Sequence, residues 1–413
     1  MENKELKPKI RFNGFKHSFG KIRFDKALEK KVDNRGFTPN FKSKGKHPLI
    51  EVAAIGNRNP NYDNVVKYLD DYAFNNQLRE YLQENDILYS TVGSVGEVTL
   101  MDDNENAAIA QNIVGFRSNE GFDSKYLYVL LSTENSRKIA NSIVMSAVQP
   151  SIKIPQLLNC KLIVTSDLNE QVLIGKFFEN TDNLINSKKR ELDKWKGIKA
   201  SFLSKMFPKP GSRVPELRFK GFSGEWEKNT IDHFGSFYYG RSAPKWSVTK
   251  DAITPCVRYG EMYTKFKYNK VDKIYSYTNM PNDKLVFSTG KEVLIPRVGE
   301  DPNDYNHCLW LPFKNVAIGE MISVYNTNQD PLFTATMFNA TLKNQFAIRV
   351  EGGTVTNLYY EKLKDIIVSF PQLEEQVLIS SFFEKINENI IHQEKMIEKL
   401  KQIKQSFLSK MFV

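Results

Sequence analysis

Residues 170–207 read EQVLIGKFFENTDNLINSKKRELDKWKGIKASFLSKMF, and residues 375–412 repeat this stretch as EQVLISSFFEKINENIIHQEKMIEKLKQIKQSFLSKMF. The offset is 205 residues at both ends, so the two copies have the same length. A long internal repeat indicates a duplicated architecture. The sequence therefore divides the chain into two similar halves.

Each copy predicts one long helix. Its apolar residues advance mainly by alternating steps of three and four, the pattern of a helix that packs along another helix. At 1.5 Å per residue each helix would be about 57 Å long, and the expected partner of each copy is the other copy, running antiparallel. The alternative is an ordinary amphipathic helix lying on a globular core. The residues expected at the helix contact are Leu184, Trp195, Ile198, Phe202, Ile386, Met396, Leu400, Ile403 and Phe407.

A shorter repeat predicts the domain order. PKIRFNGF at residues 8–15 returns as PELRFKGF at residues 215–222, where it follows the first long helix after a Pro/Gly linker. The repeat is therefore cyclic, with a pseudo-twofold relation between the halves. We expect an α+β fold with two similar globular domains separated by two long antiparallel helices. The predicted ranges are 1–165 and 208–370 for the globular domains and 166–207 and 371–413 for the long helices.

Local signals within the globular domains also repeat. DILYSTVG at residues 86–93 aligns with EVLIPRVG at residues 292–299, and the β-forming residues around Gly93 and Gly96 predict a strand, a tight turn and a second strand. Ser124 and Asp330 are related by a similar offset, and each precedes an apolar run of helical spacing. We expect both residues to cap helices.

The charge of the chain indicates a polyanionic partner. The net charge is +10, and the first fifty residues carry 14 Lys or Arg against 5 Asp or Glu. Nucleic acid is the commonest partner of such a surface, and the alternative is a merely solvated basic surface. Lysines suit phosphate contacts, whereas Arg and Asn at predicted strand ends are candidates for reading bases, although each could instead form a structural ion pair. The candidate DNA-binding residues are Lys42, Lys44, Lys46, Asn57, Arg58, Arg241, Lys245, Arg258, Lys265, Lys267 and Arg297.

The sequence lacks the common motifs of catalytic and metal-binding sites. Gly290-Lys291 lacks the remainder of a phosphate-binding loop, the five histidines have no metal-ligand spacing, and no Gly-x-Ser-x-Gly elbow occurs. Residues 59–62, NPNY, differ at the third position from the tetrad of amino-methyltransferases and are interpreted as a turn. We predict no catalytic centre, no metal site and no bound cofactor.

The remaining sequence features favour a cytoplasmic protein. The three cysteines are widely spaced and odd in number, which argues against a disulfide framework and for a reducing compartment. No run of 18 apolar residues occurs, so we expect no membrane span.

Taken together, these motifs resemble the specificity subunit of type I restriction–modification enzymes. The resemblance extends over essentially the whole chain and rests on the helix openings LNEQVLIGKFFE and LEEQVLISSFFE, the SFLSKMF endings, the P-x-[IL]-R-F-x-G-F starts and the paired hairpin segments. It implies two target recognition domains that read the two parts of a split double-stranded DNA site. It also implies that the helices dock two modification (methyltransferase) subunits, joined by restriction (translocase and nuclease) subunits. S-adenosylmethionine, ATP and Mg²⁺ would then belong to those partners.

Two other functions are compatible with parts of the sequence. A self-contained DNA methyltransferase or nuclease would carry the basic surface but would also need a catalytic centre. A coiled-coil adaptor that binds only protein would carry the long helices but would have no affinity for DNA.

Overall fold

A computed structural model of the chain describes residues 6–36, 38–101, 106–109, 111–145, 149–241, 243–302 and 304–413. The chain forms two compact units, Met1–Arg190 with Lys395–Val413, and Glu191–Glu394. The unit boundaries fall inside both long helices, so each unit contains part of each helix.

The first unit is a mixture of short strands and helices. Its strands are β1 (Gly20–Arg23), β2 (Leu28–Val32), β3 (His47–Ile50), β4 (Tyr68–Leu69), β5 (Ile87–Ser90), β6 (Val98–Leu100), β7 (Ala108–Ile109), β8 (Ile113–Ser118) and β9 (Lys161–Val164). Its helices are α1 (Asp71–Asn76), α2 (Ser124–Leu131), α3 (Glu134–Ser142) and α4 (Ile154–Asn159), followed by the first long helix, α5 (Leu168–Lys205).

The second unit has the same kind of composition. Its strands are β10 (Glu227–Thr230), β11 (Gly235–Tyr239), β12 (Thr254–Val257), β13 (Ser276–Thr278), β14 (Phe287–Thr289), β15 (Glu292–Pro296), β16 (Val298–Gly299), β17 (Leu309–Leu311), β18 (Lys314–Ile318), β19 (Ile322–Thr327), β20 (Glu351–Gly352), β21 (Thr356–Asn357) and β22 (Ile367–Phe370). Its helices are α6 (Tyr259–Thr264), α7 (Pro331–Thr341) and α8 (Lys343–Ala347), followed by the second long helix, α9 (Leu373–Met411).

The two units share the strand order of two sheets and a hairpin, and the second unit has a further sheet, β16-β21-β20. In the first unit one sheet has the order β2-β8-β5-β6, and the matching sheet of the second unit is β11-β19-β15-β17. A second sheet, β4-β3-β7, corresponds to β13-β12-β18, to which β14 is added, and both contain one parallel pair. The hairpin β1-β9 corresponds to β10-β22. The duplication predicted from the sequence is therefore present in the strand order.

Two of three predicted local features are present, and the third, the cap of α2, lies one residue earlier. The hairpin of β5 and β6 forms as predicted, and Gly93 and Gly96 both adopt positive φ, at 79° and 87°. Asp330 caps α7 by accepting a hydrogen bond from the Phe333 amide. The prediction that Ser124 caps α2 is wrong, because Asp123 accepts the hydrogen bond from the Tyr126 amide and Ser124 is the first helical residue. Asp and Ser are comparably good N-caps, so the pattern alone could not choose between these neighbours.

The long helices run antiparallel within each unit. In the first unit the Phe177 and Phe407 rings lie 5.0 Å apart, and Lys404 Nζ lies 2.5 Å from Asp182 Oδ1. Residue numbers in α9 therefore decrease in the direction in which residue numbers in α5 increase. In the second unit the Phe202 and Phe382 rings lie 4.8 Å apart. There Lys196 Nζ lies 3.9 Å from Glu394 Oε1, which gives the same direction. The predicted α+β fold with antiparallel long helices is confirmed.

The predicted residues of the helix contact are only partly correct. Ile386 is buried, and Trp195, Phe202, Met396, Leu400 and Phe407 are half-buried. The prediction is wrong for Leu184, Ile198 and Ile403, since their side chains are 45%, 40% and 38% exposed. The next residue along, namely Ile185, Lys199 or Lys404, is the more buried one in each case. A shift of one residue rotates a helix position by about 100°, and the prediction missed it because long lysine side chains can occupy inward positions by packing their stems.

The start of each long helix carries a matched set of buried polar contacts. Glu170 and Glu375 are both 0% exposed. Arg11 donates two hydrogen bonds to Glu170, of 2.6 and 2.9 Å, and Arg218 donates two to Glu375, of 2.8 and 2.7 Å. These bidentate pairs raise the pKa of both arginines. The repeated segments at residues 8–15 and 215–222 are thereby fastened to the helices.

The glutamine that follows each glutamate makes hydrogen bonds that are also equivalent in the two units. Gln171 accepts a hydrogen bond from the Asp123 amide and donates one to the Thr165 carbonyl. Gln376 accepts from the Asp330 amide and donates to the Pro371 carbonyl. Each glutamine thus connects a long helix to the cap of α2 or α7.

Removing one arginine from these pairs should destabilise one unit selectively. Arg218→Ala leaves the Glu375 carboxylate buried without its partner, and loss of one member of a buried pair costs about 3–5 kcal/mol. All four tryptophans, Trp195, Trp226, Trp246 and Trp310, lie in the second unit. Urea unfolding followed by tryptophan fluorescence should therefore show a lower midpoint for Arg218→Ala. The matched control is Arg11→Ala, and an equal shift of the fluorescence midpoint in both variants would contradict the assignment.

One pair of matched positions in the long helices differs in charge. Asp182 of α5 pairs with Lys404 of α9 in the first unit. The positions 205 residues away are Asn387 and Lys199. Asn387 is 8% exposed, and its Oδ1 has no hydrogen-bond partner. Lys199 Nζ lies 5.1 Å from the Tyr268 ring centroid, and burial lowers the pKa of this lysine. The second unit therefore holds a lysine without the carboxylate that the first unit supplies.

Asn387→Asp should supply the missing carboxylate and raise the free energy of unfolding of the second unit by about 1 kcal/mol at neutral pH. A lysine whose pKa is lower in the folded state costs stability below that pKa, and the cost is relieved as pH rises through it. The gain from Asn387→Asp should accordingly shrink at high pH, where Lys199 is neutral in both states. Urea unfolding followed by tryptophan fluorescence measures both effects. If Asn387→Asp is equally stabilising in a Lys199→Met background, the pairing is refuted.

Candidate nucleic-acid interface

The predicted lysines of the first unit lie on an exposed segment that leads into β3. Lys42 Nζ lies 2.9 Å from Asp70 Oδ2, and Lys46 Nζ lies 2.9 Å from Asp71 Oδ1. The amide of Ala73 and then Lys42 lower the pKa of Asp70, whereas Lys46 and then His47 lower that of Asp71. Lys44 is exposed between them. These lysines can contact phosphates, but the start of α1 partly neutralises two of them.

Arg58 does not occupy a base-reading position in this structure. Its guanidinium forms an ion pair with Glu179 of α5 and a 3.3 Å hydrogen bond with Asn183, and only 13% of its side chain is exposed. Glu179 also pairs with Lys125 at 2.7 Å. The prediction for Arg58 is therefore corrected to a structural role, because a carboxylate on the long helix fixes the arginine. Its neighbour Asn57 is exposed, and the Asn57 carbonyl accepts a hydrogen bond from Thr99 Oγ1.

Three arginines of the second unit surround one turn, and we name them the arginine rim (Arg241, Arg258 and Arg297). The turn is residues 319–321, between β18 and β19. The Arg241 amide donates to the carbonyl of Ile318, which precedes the turn, and the Arg297 amide donates to that of Met321. The Gly319 amide donates to the carbonyl of Val257, next to Arg258. The predicted arginines 241, 258 and 297 are thus brought together from three separate parts of the sequence.

A close backbone approach makes this arrangement possible. A Cβ atom at Gly240 would lie 2.1 Å from the Gly319 carbonyl oxygen, which no larger residue could tolerate. Met321 has φ of 66°, in the left-handed region, and its side chain is exposed. Such backbone conformations concentrate at functional sites. Glu320 is also exposed on this turn, and its carboxylate could accept a hydrogen bond from a cytosine amino group.

The three arginines differ in how they are held. Arg241 is exposed. Arg258 is half-buried at the start of α6, where its Nε donates to the Ala243 carbonyl at 3.3 Å. Arg297 lies with its guanidinium carbon 4.9 Å from the Tyr239 ring centroid. The arginine rim therefore combines one exposed cation with two that are positioned by the fold.

The chain that follows Lys245 carries exposed aromatic and apolar side chains, which the sequence patterns did not identify as site residues. Lys245 is exposed next to Trp246, whose side chain is 75% exposed, and Ile253 is 84% exposed. Exposed aromatic side chains can stack on bases or pack against sugars. The signal was available, since Trp246 directly follows a predicted lysine, but aromatic residues also build cores.

The remaining two predicted lysines, Lys265 and Lys267, have different surroundings. Lys265 Nζ lies 5.5 Å from the Tyr275 ring centroid, and Tyr275 is 43% exposed. Lys267 Nζ lies 3.5 Å from Glu394 Oε2 on α9, although the lysine remains 75% exposed. Lys267 therefore faces the long helix, which weakens its case as a phosphate ligand.

Within the described residues, no group of three or more His, Cys, Asp or Glu side chains is placed to hold a metal ion. His307 Nε2 lies 2.7 Å from the Met262 carbonyl oxygen, and burial raises the pKa of the adjacent Cys308 thiol. This pair packs within the second unit. None of the helices in the described part of the chain is both long enough and apolar enough to span a membrane.

Sequence comparisons connect the chain to one family. Residues 25–194 match the family described as the type I restriction modification DNA specificity domain. Over 361 residues the chain is 24% identical to a putative type I restriction enzyme MjaX specificity subunit of Methanocaldococcus jannaschii, covering 83% of this chain and 81% of that protein. The MjaVIII specificity subunit of the same organism is 27% identical over 146 residues, which span 34% of each chain.

Solved structures agree in fold. The type I restriction–modification S subunit from M. genitalium superposes with a TM-score of 0.64 at 14% identity and covers 99% of both chains. A chain from a study of complex assembly and conformational transition in the type I R-M system superposes with a TM-score of 0.55 at 14% identity, covering 95% of this chain and 97% of that one.

Proposed function

We propose that this chain, which resembles the specificity subunits of type I restriction–modification systems over most of its length, reads a bipartite, asymmetric site in double-stranded DNA. Each unit would act as one target recognition domain. The observation that carries this proposal is that the two units repeat one topology while their rim residues differ. Arg258 and Arg297 follow β12 and β15, whereas Glu51 and Thr91 follow the matching strands β3 and β5. Two domains that share a backbone topology but carry different side chains would recognise different base sequences.

We propose that the chain is a non-catalytic subunit, like the specificity subunits that it resembles. We propose that methyl transfer and cleavage, with S-adenosylmethionine, ATP and Mg²⁺, take place on methyltransferase and restriction subunits that it binds. We also propose that the assembly acts in the cytoplasm. The three cysteines are free, which fits a reducing compartment.

The DNA-binding proposal predicts a steep dependence of affinity on salt. A protein that neutralises 6–10 phosphates loses about 10³–10⁵ in affinity between about 50 and 200 mM salt, because condensed counterions are released on binding. Filter binding of the purified chain to duplex DNA over this range measures the slope. A protein-only adaptor would have no affinity for the duplex at any salt concentration.

Selection from a randomised duplex pool tests the bipartite part of the proposal. The selected DNA should contain two specified segments separated by an unspecified spacer. A single continuous motif would contradict the assignment of one recognition domain to each unit.

Partner docking is supported by two equivalent apolar patches on the long helices. Leu168 and Leu173 at the start of α5 are 44% and 42% exposed. Leu373 and Leu378, 205 residues later at the start of α9, are 51% and 45% exposed. Exposed leucines repeated at matched positions favour two identical partners, since apolar surface left in water marks interaction sites. We propose that each leucine pair binds one methyltransferase subunit.

Single substitutions should change the stoichiometry of this complex by one. Leu173→Glu or Leu378→Glu should reduce bound methyltransferase subunits from two to one, and the double variant should bind none, because a charge desolvated at an apolar contact is costly. Native mass spectrometry with the purified methyltransferase subunit measures the count. Leu184→Glu is the matched control: it is 45% exposed, but the position 205 residues later is Asn389. Two bound subunits in both single variants would refute the assignment.

A further inference from the structure

We infer that Arg297, held against the ring of Tyr239, reads a guanine in the part of the DNA site that the second unit binds. This inference rests on the proposed function and adds to it a base and a positioning residue. Arg297 immediately follows β15, the central strand that pairs with both β17 and β19. Tyr239 is the last residue of β11, on the other side of β19.

The backbone at Arg297 is fixed on both sides. Its amide donates to the Met321 carbonyl at 3.1 Å, and its carbonyl accepts from the Leu358 amide at 2.8 Å. The Tyr239 ring is also fixed, because its hydroxyl donates to Glu361 Oε2 at 2.6 Å and its centroid lies 4.4 Å from that of Tyr360. The guanidinium therefore rests on a rigid aromatic surface, and little side-chain entropy remains to be lost on binding.

The hydrogen-bonding capacity of Arg297 is largely unused. Its Nη2 lies 3.4 Å from Met321 Sδ, which is a weak acceptor, and its Nε is buried without a hydrogen-bond partner. In the part of the chain that the structure describes, no carboxylate forms an ion pair with it. By contrast, carboxylates engage Arg58 and Arg218. An arginine positioned by the fold but not satisfied by it indicates an external acceptor.

The chemistry of that acceptor follows from the shape of the guanidinium. Its planar fork matches the O6 and N7 atoms of guanine in the major groove, which is the commonest specific arginine contact with DNA. A phosphate could be reached by a flexible, exposed side chain such as Lys245 or Arg241 without a stacking partner. The matching position in the first unit is Thr91, which is 0% exposed, so that unit has no reader at this place.

The experiment is selection of binding sites by the full chain from a pool of randomised DNA duplexes. Wild type should prefer guanine at one position in one half of the site. Arg297→Ala should reduce that preference about 10- to 100-fold and leave the other half unchanged. Arg297→Met is a second variant that keeps the length of the side chain, and it should lose the same preference. Tryptophan fluorescence checks that each variant is folded.

Tyr239 variants separate stacking from a general structural role. Tyr239→Phe loses the hydroxyl bond to Glu361 but keeps the ring and its contact with Tyr360, so it should retain the guanine preference, whereas Tyr239→Ala should lose it. Lys245→Ala, which removes an exposed lysine of the same unit, is the control and should weaken binding to all sequences equally.

Unchanged preference in folded Arg297→Ala or Arg297→Met would overturn the assignment of the base, and equal loss in Tyr239→Phe and Tyr239→Ala would overturn the role of the ring. If wild type selects no sequence at all, the proposed function itself fails, which is a distinguishable result.

Discussion

The structure depends on a buried Glu-Gln dipeptide at the start of each long helix. A carboxylate that is fully removed from water is costly unless it is paired and hydrogen-bonded. Glu170 and Glu375 meet this condition because an arginine from a distant segment approaches each of them with both arms of its guanidinium. In each half of the chain, one ion pair therefore fixes the position of the segment that precedes the globular part.

The adjacent glutamines extend this constraint into the globular parts. Gln171 and Gln376 each bind the backbone at the cap of a short apolar helix and, on the opposite side, a carbonyl just before their own helix. A substitution at Glu or Gln would leave several buried groups unpaired at once. This explains why EQV opens both repeats.

The sequence predicted those parts of the structure in which local pattern and global packing agree. The long helices, the β5-β6 hairpin and the Asp330 cap are set by periodicity, glycine conformation and a short polar side chain. Leu184, Ile198 and Ile403 were misassigned because apolar character was taken to indicate the inward face. In the structure, Lys404 points inward to reach Asp182 instead. Arg58 was misassigned for a related reason, since its partner Glu179 is remote in sequence.

The arginine rim was predicted only as separate residues. Its three arginines are far apart in the chain, and the turn at residues 319–321 that gathers them carries no recognisable motif. No periodicity could have indicated that Tyr239 lies beneath Arg297, because that contact depends on β11 and β15 flanking the same strand, β19. Sheet order, rather than local propensity, places these side chains together.

This division between scaffold and rim has an evolutionary consequence that follows from energetics. Substitutions at exposed positions usually change stability by less than about 0.5 kcal/mol, whereas loss of one member of a buried ion pair costs about 3–5 kcal/mol. Trp246 and Ile253 are 75% and 84% exposed, while Glu170 and Glu375 are 0% exposed. Exposed residues such as Trp246 and Ile253 can be replaced without unfolding either unit. A change of about 1–3 kcal/mol in the free energy of a single base contact is enough to alter the preferred base. If these exposed positions read DNA as proposed, base preference changes there at little cost in stability, so long as the Glu-Gln contacts at the two helix starts are retained.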